Sequence, residues 1–519
     1  MQPSNGPMGG MRDRYVVTAA QMQAIESRVF AAGMPVAALM EKVAGLITQR
    51  VMAWRSIAQG PRVGILAGPG HNGGDALVVA RELHLRGYQV AVYLPFERRK
   101  ELTDRHAQYA ASLGIEVSPD LAPVLAADWL VDGLFGFGLE RPIEGALAEA
   151  IDQVNNSGKP IVSIDLPSGL HTDSGAVLGK AIRSTLTLCL GLWKRGLLLD
   201  RALDWVGQAE LIDFDLPLAD IQAILGPDPQ LNRITAHLAQ LPLNRSPATH
   251  KYEQGHLLVV AGSAVYMGAA FLAALGARSS GVGMLTVAVP ASLKPWLVAQ
   301  IPEALVVACP ETDMGKIARV DLDLARYDAI ACGCGLTREA TPIVQAVWES
   351  DRPLVLDADG LNALAQLGWR DRQGPVVLTP HWGEFQRLFP NLVAQTSDRL
   401  ELAQRAAQQT GAIVLLKGAR TVVAEPGGQS WMVPESTPGL ARGGSGDVLA
   451  GLLGGLVAQA RPTALTDWGY WAATAAWWHA QAGIQAVQDR SILGVNGASL
   501  ADGLLTVARQ QTQALEKQS

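Results

Sequence analysis

Ala441-Arg442-Gly443-Gly444-Ser445-Gly446-Asp447 runs directly into the apolar stretch Val448-Leu449-Ala450-Gly451-Leu452-Leu453. Glycines let a backbone come close to a ligand, and a helix starting just after them adds the positive end of its dipole. The run therefore predicts a cradle for a phosphate or a developing oxyanion. Asp447 is a carboxylate set where it would repel that ligand. The chemistry that reconciles the two is general-base catalysis: the carboxylate takes a proton from a hydroxyl that then attacks phosphorus. A glycine turn with Asp447 as helix cap is the plainer alternative, but three glycines exceed what a cap needs.

A second set lies in the first half of the chain. Gly68-Pro69-Gly70-His71-Asn72-Gly73-Gly74-Asp75 has G-x-G-x-x-G spacing, in itself a weak dinucleotide signal. Asn72 and Asp75 add side-chain oxygens that a plain pyrophosphate turn lacks. Asp132 to Leu139 and Asp165 to Gly169 are further glycine-rich loops. Oxygens of Asn72, Asp132 and Ser168 could converge on a hard cation, and a single carboxylate suits a monovalent ion better than magnesium. Asp165, beside a Pro-Ser-Gly turn, is the acid/base candidate if burial raises its pKa, with a helix N-cap as the alternative. Lys194 reads either as a phosphate contact or as a solvated surface lysine.

The second half adds small-residue turns at Gly262-Ser263 and Gly268-Ala269-Ala270, and a glycine turn at Cys332-Gly333-Cys334-Gly335. Two strand-end carboxylates, Asp357 and Asp359, follow, with His381 and Lys417 after further strands. Lys417 could meet a nucleotide phosphate as a point charge. His381 could hydrogen-bond a substrate or only cap a helix. Nucleotide cradle, G-x-G-D base and acceptor turns together read as ribokinase-like, with a sugar or vitamin kinase as the default.

Short apolar runs alternating with helical stretches must position these residues, which predicts parallel doubly wound sheets with sites at the carboxyl ends of strands. Helices are expected from a capping box at Thr18-Ala19-Ala20-Gln21 and over 75–86. The alternation breaks in the Pro-rich stretch around 216–247. The expected fold class is α/β throughout, a doubly wound parallel-sheet domain followed by a second α/β domain that reads as ribokinase-like. The boundaries are 1–220, a linker at 221–245, and 246–519. With 519 residues, 49% apolar and 17% charged, the chain reads as globular with more than one core. A net charge of −6 and no basic run longer than Arg98-Arg99-Lys100 speak against a nucleic-acid partner. The N-terminus lacks an apolar leader, and the longest apolar stretch, 448–458, is too short to span a membrane. Four irregular cysteines, with Cys332 and Cys334 read as packing and not as metal ligands, fit a reducing cytoplasm.

GPGHNGGDA, VDGLFGFGL and DLPSGL, with MEKVAG near Glu41, resemble the motifs of the NAD(P)H-hydrate epimerases over about residues 15–215. The resemblance implies a Rossmann-like fold that holds a potassium ion through Asn72, Asp132 and Ser168. Substrate contacts would come from His71, Asn72, Gly73, Gly74 and Asp75, from Gly136, Phe137, Gly138, Leu139, Glu140, Arg141 and Pro142, and from Asp165. HKYxxGxxLVVAGS, DADGLNAL, LTPHWGEF, LLKG and GGSGD similarly resemble the ADP-dependent NAD(P)H-hydrate dehydratases over about 246–510. There the resemblance implies hydrate contacts from Gly268, Ala269, Gly335, His381 and Asp447. ADP, with magnesium, would be held by Lys417, Gly418, Ala419, Arg420, Thr421 and Gly446. The chain departs from these family patterns at His71 and Lys42 (usually Asn), Ala76 (Gly), Cys334 (Pro) and Ser445 (Thr). Together the resemblances imply a bifunctional repair enzyme: NADH or NADPH hydrate is epimerised and its S epimer dehydrated, with ADP converted to AMP and phosphate. Asp447 and Asp165 would be the catalytic groups, and a homo-oligomer is expected. The rivals are a kinase fused to a dinucleotide-binding domain, and a dehydratase whose N-terminal half is a non-catalytic scaffold.

Overall fold

The computed structural model describes residues 12–243, 245–462 and 465–516. Residues 1–11, where the N-terminal reading was made, Asn244 of the expected linker, and 463–464 and 517–519 of the expected second domain lie outside the described residues. The chain forms two compact units, Met1–Pro229 and Gln230–Ser519. Of the stretch 221–245, the first residues complete the helix Leu218–Leu225, while Leu231–Arg233 is a strand of the second sheet.

In the first unit, β1 (Val16–Val17) pairs with β8 (Trp193–Lys194), apart from the main sheet. That sheet contains β2 (Arg62–Ala67), β3 (Gln89–Tyr93), β4 (Glu116–Ser118), β5 (Trp129–Gly133), β6 (Ile161–Ile164), β7 (Leu186–Leu190) and β9 (Gln208–Ile212). Its order is β4-β3-β2-β5-β6-β7-β9, parallel throughout. The central strands β5 and β6 are buried on both faces, which is why they read as near-continuous apolar runs interrupted by Asp132 and Ser163. Thr18 begins the helix Ala19–Ala31 as expected. Its hydroxyl accepts from Gln21 N at 3.2 Å, and Gln21 Oε1 accepts from Thr18 N at 2.9 Å. The next glycine turn corrects the expected helix over 75–86: the helix is His71–Leu85, so His71 to Asp75 form its first turn and Gly70 is the N-cap. Gly68 and Gly73 serve backbone packing there. A Cβ on Gly73 would lie 1.9 Å from Gly68 O, and one on Gly68 1.6 Å from Leu134 O.

The second unit holds a ten-stranded sheet. Its strands are β10 (Leu231–Arg233), β11 (His256–Val260), β12 (Met284–Pro290), β13 (Leu305–Cys309), β14 (Ala329–Cys332), β15 (Leu354–Leu356), β16 (Val376–Leu378), β17 (Ile413–Leu416), β18 (Thr421–Ala424) and β19 (Ser430–Val433). Their order is β10-β19-β18-β17-β16-β15-β14-β11-β12-β13, parallel except where β18 meets β17 and β19. The apolar stretch 448–458 lies in the helix Ser445–Ala460, and each of its residues is buried. No helix among the described residues is long and apolar enough to cross a membrane.

That helix crosses the helix Met267–Ser279 backbone to backbone. A Cβ on Gly451 would sit 1.8 Å from Ala273 O, and one on Gly276 2.0 Å from Val448 O. Asp447 stands one turn before this contact, so the crossing fixes where its carboxylate points. Gly451→Ala is expected to lower the stability of the second unit by ~1–3 kcal/mol through overpacking. Gly45→Ala, within the helix Val36–Trp54 and with no atom near its Cβ position, should instead raise that of the first unit by ~0.5–1 kcal/mol. Denaturant midpoints of the two variants check the opposite signs.

Candidate active sites

In the first unit the polar side chains gather at the carboxyl ends of β5 and β6. Asp165 follows β6 in a tight turn: Leu166 N donates to Ile164 O at 2.9 Å, and Asp165 has φ 69°. A non-glycine residue there is strained. The turn aims the carboxylate inward, where Oδ2 accepts from Phe137 N at 2.9 Å and Oδ1 from Leu190 N at 3.3 Å. Asp165 therefore caps no helix. Lys194 is not the surface lysine or phosphate contact that its sequence context suggested. It is fully buried, its ammonium 2.5 Å from Asp165 Oδ1 and donating to Leu190 O at 2.5 Å. Burial opposes the ammonium, but Asp165 and its other neighbours outweigh it and hold the lysine pKa above its ordinary value. Phe137 lies under the ammonium at 5.5 Å.

Two further carboxylates face this pair. Burial, then the charges of Asp165 and Glu26, push Asp75 well above the carboxylate range. Glu26, on the helix Ala19–Ala31, is pushed up to about 7 by burial, against the pull of Lys194. Sequence reasoning missed Glu26. The available signal is its place four residues after the buried Met22, on the stripe of the helix that faces inward. At the rim, Lys100 Nζ lies 3.5 Å from His71 Nε2, and burial followed by this charge lowers the His71 pKa.

Asp132 and Ser168 are joined directly, Ser168 Oγ donating to Asp132 Oδ1 at 2.6 Å and Ser168 N to Oδ2 at 2.8 Å. Ser163 Oγ also donates to Oδ2, at 2.8 Å. Asn72, in the first turn of the helix His71–Leu85, donates its amide to Ile164 O at 3.3 Å and packs beside Gly136. Asp132 is fully buried, and among the described residues no lysine or arginine is paired with it. Burial raises its pKa despite four hydrogen bonds. A buried carboxylate without a cationic side chain fits a monovalent cation. The loop 136–142 divides: Gly136 and Phe137 turn to Asp165, whereas Glu140 approaches His171 at 3.5 Å and Arg141 and Pro142 face solvent.

In the second unit the glycines before Asp447 have separate roles. Gly444 is the helix N-cap at φ 93°, a left-handed conformation that favours glycine. Gly443 has open space around it, and Gly446 lies against a cluster of charges. Asp447 is the third residue of the helix and so is not its cap. Beside it, Lys417 donates to Asp357 Oδ1 at 2.7 Å, and Lys417 Nζ lies 3.3 Å from where a Gly446 Cβ would be. Burial, then the charge of Asp357, raises Asp447 to about 6, opposed by a hydrogen bond from the Cys334 thiol and by Lys417. Cys334, also missed as a site residue, is pushed far above its ordinary thiol pKa by burial and by the same two aspartates. Gly335, at φ 67°, packs on Ala269, with Gly268 open beside it. His381 pairs across to Lys417. Its Nδ1 accepts from Gly383 N at 3.0 Å, so the ring caps the helix Trp382–Leu388, and burial followed by Lys417 lowers its pKa. Gly418, Ala419 and Arg420 form the turn between β17 and β18, closed by Thr421 Oγ1 donating to Gly418 O at 3.2 Å.

Two family models match the chain: the YjeF-related protein N-terminus over residues 36–196 and NAD(P)H-hydrate dehydratase over 257–505. Curated relatives include the bifunctional NAD(P)H-hydrate repair enzyme of Thermosynechococcus vestitus, 52% identical across 96% of this chain and 98% of the relative. That of Synechocystis is 51% identical across 96% and 95%. Among solved structures, the ADP/ATP-dependent NAD(P)H-hydrate dehydratase of Bacillus subtilis, co-crystallised with ATP/Mg2+, is 32% identical. It covers 53% of this chain and 97% of its own, with a TM-score of 0.46.

Replacing Lys194 by Met should strand Asp165 in the interior and cost ~3–5 kcal/mol. The double change Lys194→Met with Asp165→Leu should recover more than half of that loss, as read by urea unfolding. A double variant no more stable than Lys194→Met would show that packing, and not an unpaired charge, sets the cost.

Proposed function

The chain belongs to the bifunctional NAD(P)H-hydrate repair enzymes, and from that premise we propose how its residues divide the work. Residues 1–220 carry the epimerase and 246–519 the ADP-dependent dehydratase. Fusing them makes chemical sense, because dehydration consumes one epimer and the other would accumulate.

C6 of the hydrate bears both a hydroxyl and the ring nitrogen. Asp165 takes the hydroxyl proton, the C6–N1 bond breaks with its electron pair going to N1, and Glu26 gives N1 a proton. The aldehyde so formed rotates about C5–C6, and N1 re-adds to its other face while the two protons return. Lys194 keeps Asp165 in place between Phe137 N and Leu190 N. Asn72, Asp132 and Ser168 would hold potassium, whose positive charge would balance the buried Asp132. His71 to Asp75 and Gly136 to Pro142 line the substrate.

In the dehydratase Asp447 takes the C6 hydroxyl proton, and that oxygen attacks the terminal phosphorus of ADP. The bond to the bridging oxygen breaks and AMP leaves. The C6–O bond then breaks with phosphate as leaving group, and loss of the C5 proton forms the C5=C6 bond of NAD(P)H. Lys417 to Thr421 and Gly446 hold ADP. Gly268, Ala269, Gly335 and His381 hold the hydrate. Among the described residues no cluster of three or more His, Cys, Asp or Glu side chains could hold a metal. Magnesium would accompany the ADP phosphates, where it would neutralise their charge. The observation that carries this reading is the half-buried Asp447, with a pKa of about 6, beside the Lys417–Asp357 pair at a glycine-lined helix start. Recovery of NADH absorbance from NADH hydrate, with and without ADP and potassium, tests it. ATP-dependent phosphorylation of a hydroxylated metabolite, with no such recovery, would favour the kinase.

Asp447→Asn is expected to lower dehydration by ~10²–10⁴-fold and leave epimerisation unchanged. Because the base must be ionised, kcat/KM for dehydration should be level above pH 6 and fall about tenfold per unit well below it. Removing the thiol donor with Cys334→Ala should move this acid limb to higher pH. A limb that stays put would show that the thiol has no hold on the base.

A further inference from the structure

His479 lies outside every motif considered above. It sits in the helix Leu465–Arg490, buried, with Nε2 2.9 Å from the carbonyl oxygen of Ser445. Burial lowers its pKa to about 4, with Lys417 acting in the same direction and the Ser445 bond against it. The ring is therefore neutral near pH 7. A carbonyl only accepts, so Nε2 carries the proton and donates it.

Ser445 is the first residue of the helix that bears Asp447, and its side chain is also held, Oγ donating to Leu440 O at 2.9 Å. Val448 N makes the first full-turn bond of this helix, to Gly444 O at 3.2 Å. The N–H groups of Gly446 and Asp447 come before that bond and have no acceptor within the helix. The peptide between Ser445 and Gly446 is a rigid plane whose C=O and N–H point in opposite directions. Ser445 O already takes the Leu449 N–H of the helix ladder, and His479 is a second donor to it, so the two together fix the direction of the Gly446 N–H. Gly446 is the residue that borders Lys417 Nζ and Asp357 Oδ2, at 3.3 and 3.6 Å from its Cβ position.

We propose that His479 is a positioning residue of the dehydratase. It pins the Ser445–Gly446 peptide from behind, so that Gly446 N–H is held towards the phosphoryl group while that group moves from ADP to the hydrate. This rests on the reading of the glycine cradle as the phosphoryl-transfer site. The role belongs to the transition state, because a donor that drifts by a fraction of an ångström still binds ADP but no longer meets the charge that develops on the transferring group.

The test compares His479→Leu, His479→Asn and His479→Gln in the full-length protein, with Asp447→Asn alongside. Turnover of NADH hydrate is scaled to the folded fraction from near-UV circular dichroism. Gln can bring an amide N–H to the carbonyl; Leu has no donor and Asn is too short. Leu and Asn should lower kcat by ~10–100-fold with the KM for hydrate little changed, and Gln should restore it to within about threefold. Epimerisation should be unaffected in all three. Wild-type kcat in the folded fraction of Leu and Asn overturns the proposal, as does Gln no better than Asn. If Leu does not fold, Asn against Gln decides alone. A fully active Asp447→Asn would instead overturn the phosphoryl-transfer reading itself. An inactive Asp447→Asn with undiminished His479 variants overturns only the role of His479.

Discussion

Lys194 brings its ammonium to 2.5 Å from Asp165, and Lys417 brings its own to 2.7 Å from Asp357. In each unit the aspartate follows a parallel strand and the lysine comes from a neighbouring segment of the same strand-end surface. Withdrawing two charges from water costs several kcal/mol per ion, and their attraction recovers it only if the geometry is fixed. The sheets supply that fixity. What each pair gives in return is a dry floor with no net charge, over which one more carboxylate can be poised. Asp447 is raised by burial and by Asp357, and Glu26 is raised by burial while Lys194 restrains it. Neither would sit near neutrality over an unpaired lysine or an unpaired aspartate.

The rest of each site follows from how closely backbones approach these floors. In the first unit Gly68 and Gly73 press the start of the helix His71–Leu85 against the end of β2 and the loop after β5. In the second, Gly276 and Gly451 let two helices meet without side chains between them, and Asp447 inherits its aim from that crossing. Most glycines in the motifs thus act at the scaffold. Gly443 and Gly446 are the ones left facing open or charged space in the C-terminal cradle.

The strands were legible because a strand buried on both faces is a near-continuous apolar run, and β5, β6 and β11 are such runs apart from Asp132, Ser163 and His256. The Thr18 cap was legible because its partners lie three residues apart. The helix start at His71 was not, since glycines weaken helix propensity and only packing against Gly68 and Leu134 offsets that weakness. Lys194 and Glu26 escaped for a shared reason: their partners are far away in sequence, and nothing local distinguishes a lysine that will be buried from one that will be solvated. His479, contacting Ser445 from 34 residues away, is a similar case.

Cys334 stands next to Asp447 with its thiol pKa far above the ordinary range. Oxidants and alkylating agents react with thiolates, so the burial that raises Asp447 to about 6, together with the neighbouring carboxylates, also keeps this sulfur protonated and chemically quiet. Peroxide or a maleimide would find almost no nucleophile at the heart of the dehydratase. An enzyme that mends damaged redox cofactor can thereby keep a cysteine beside Asp447 through oxidative stress, shielded first by burial and then by the charges of Asp447 and Asp357.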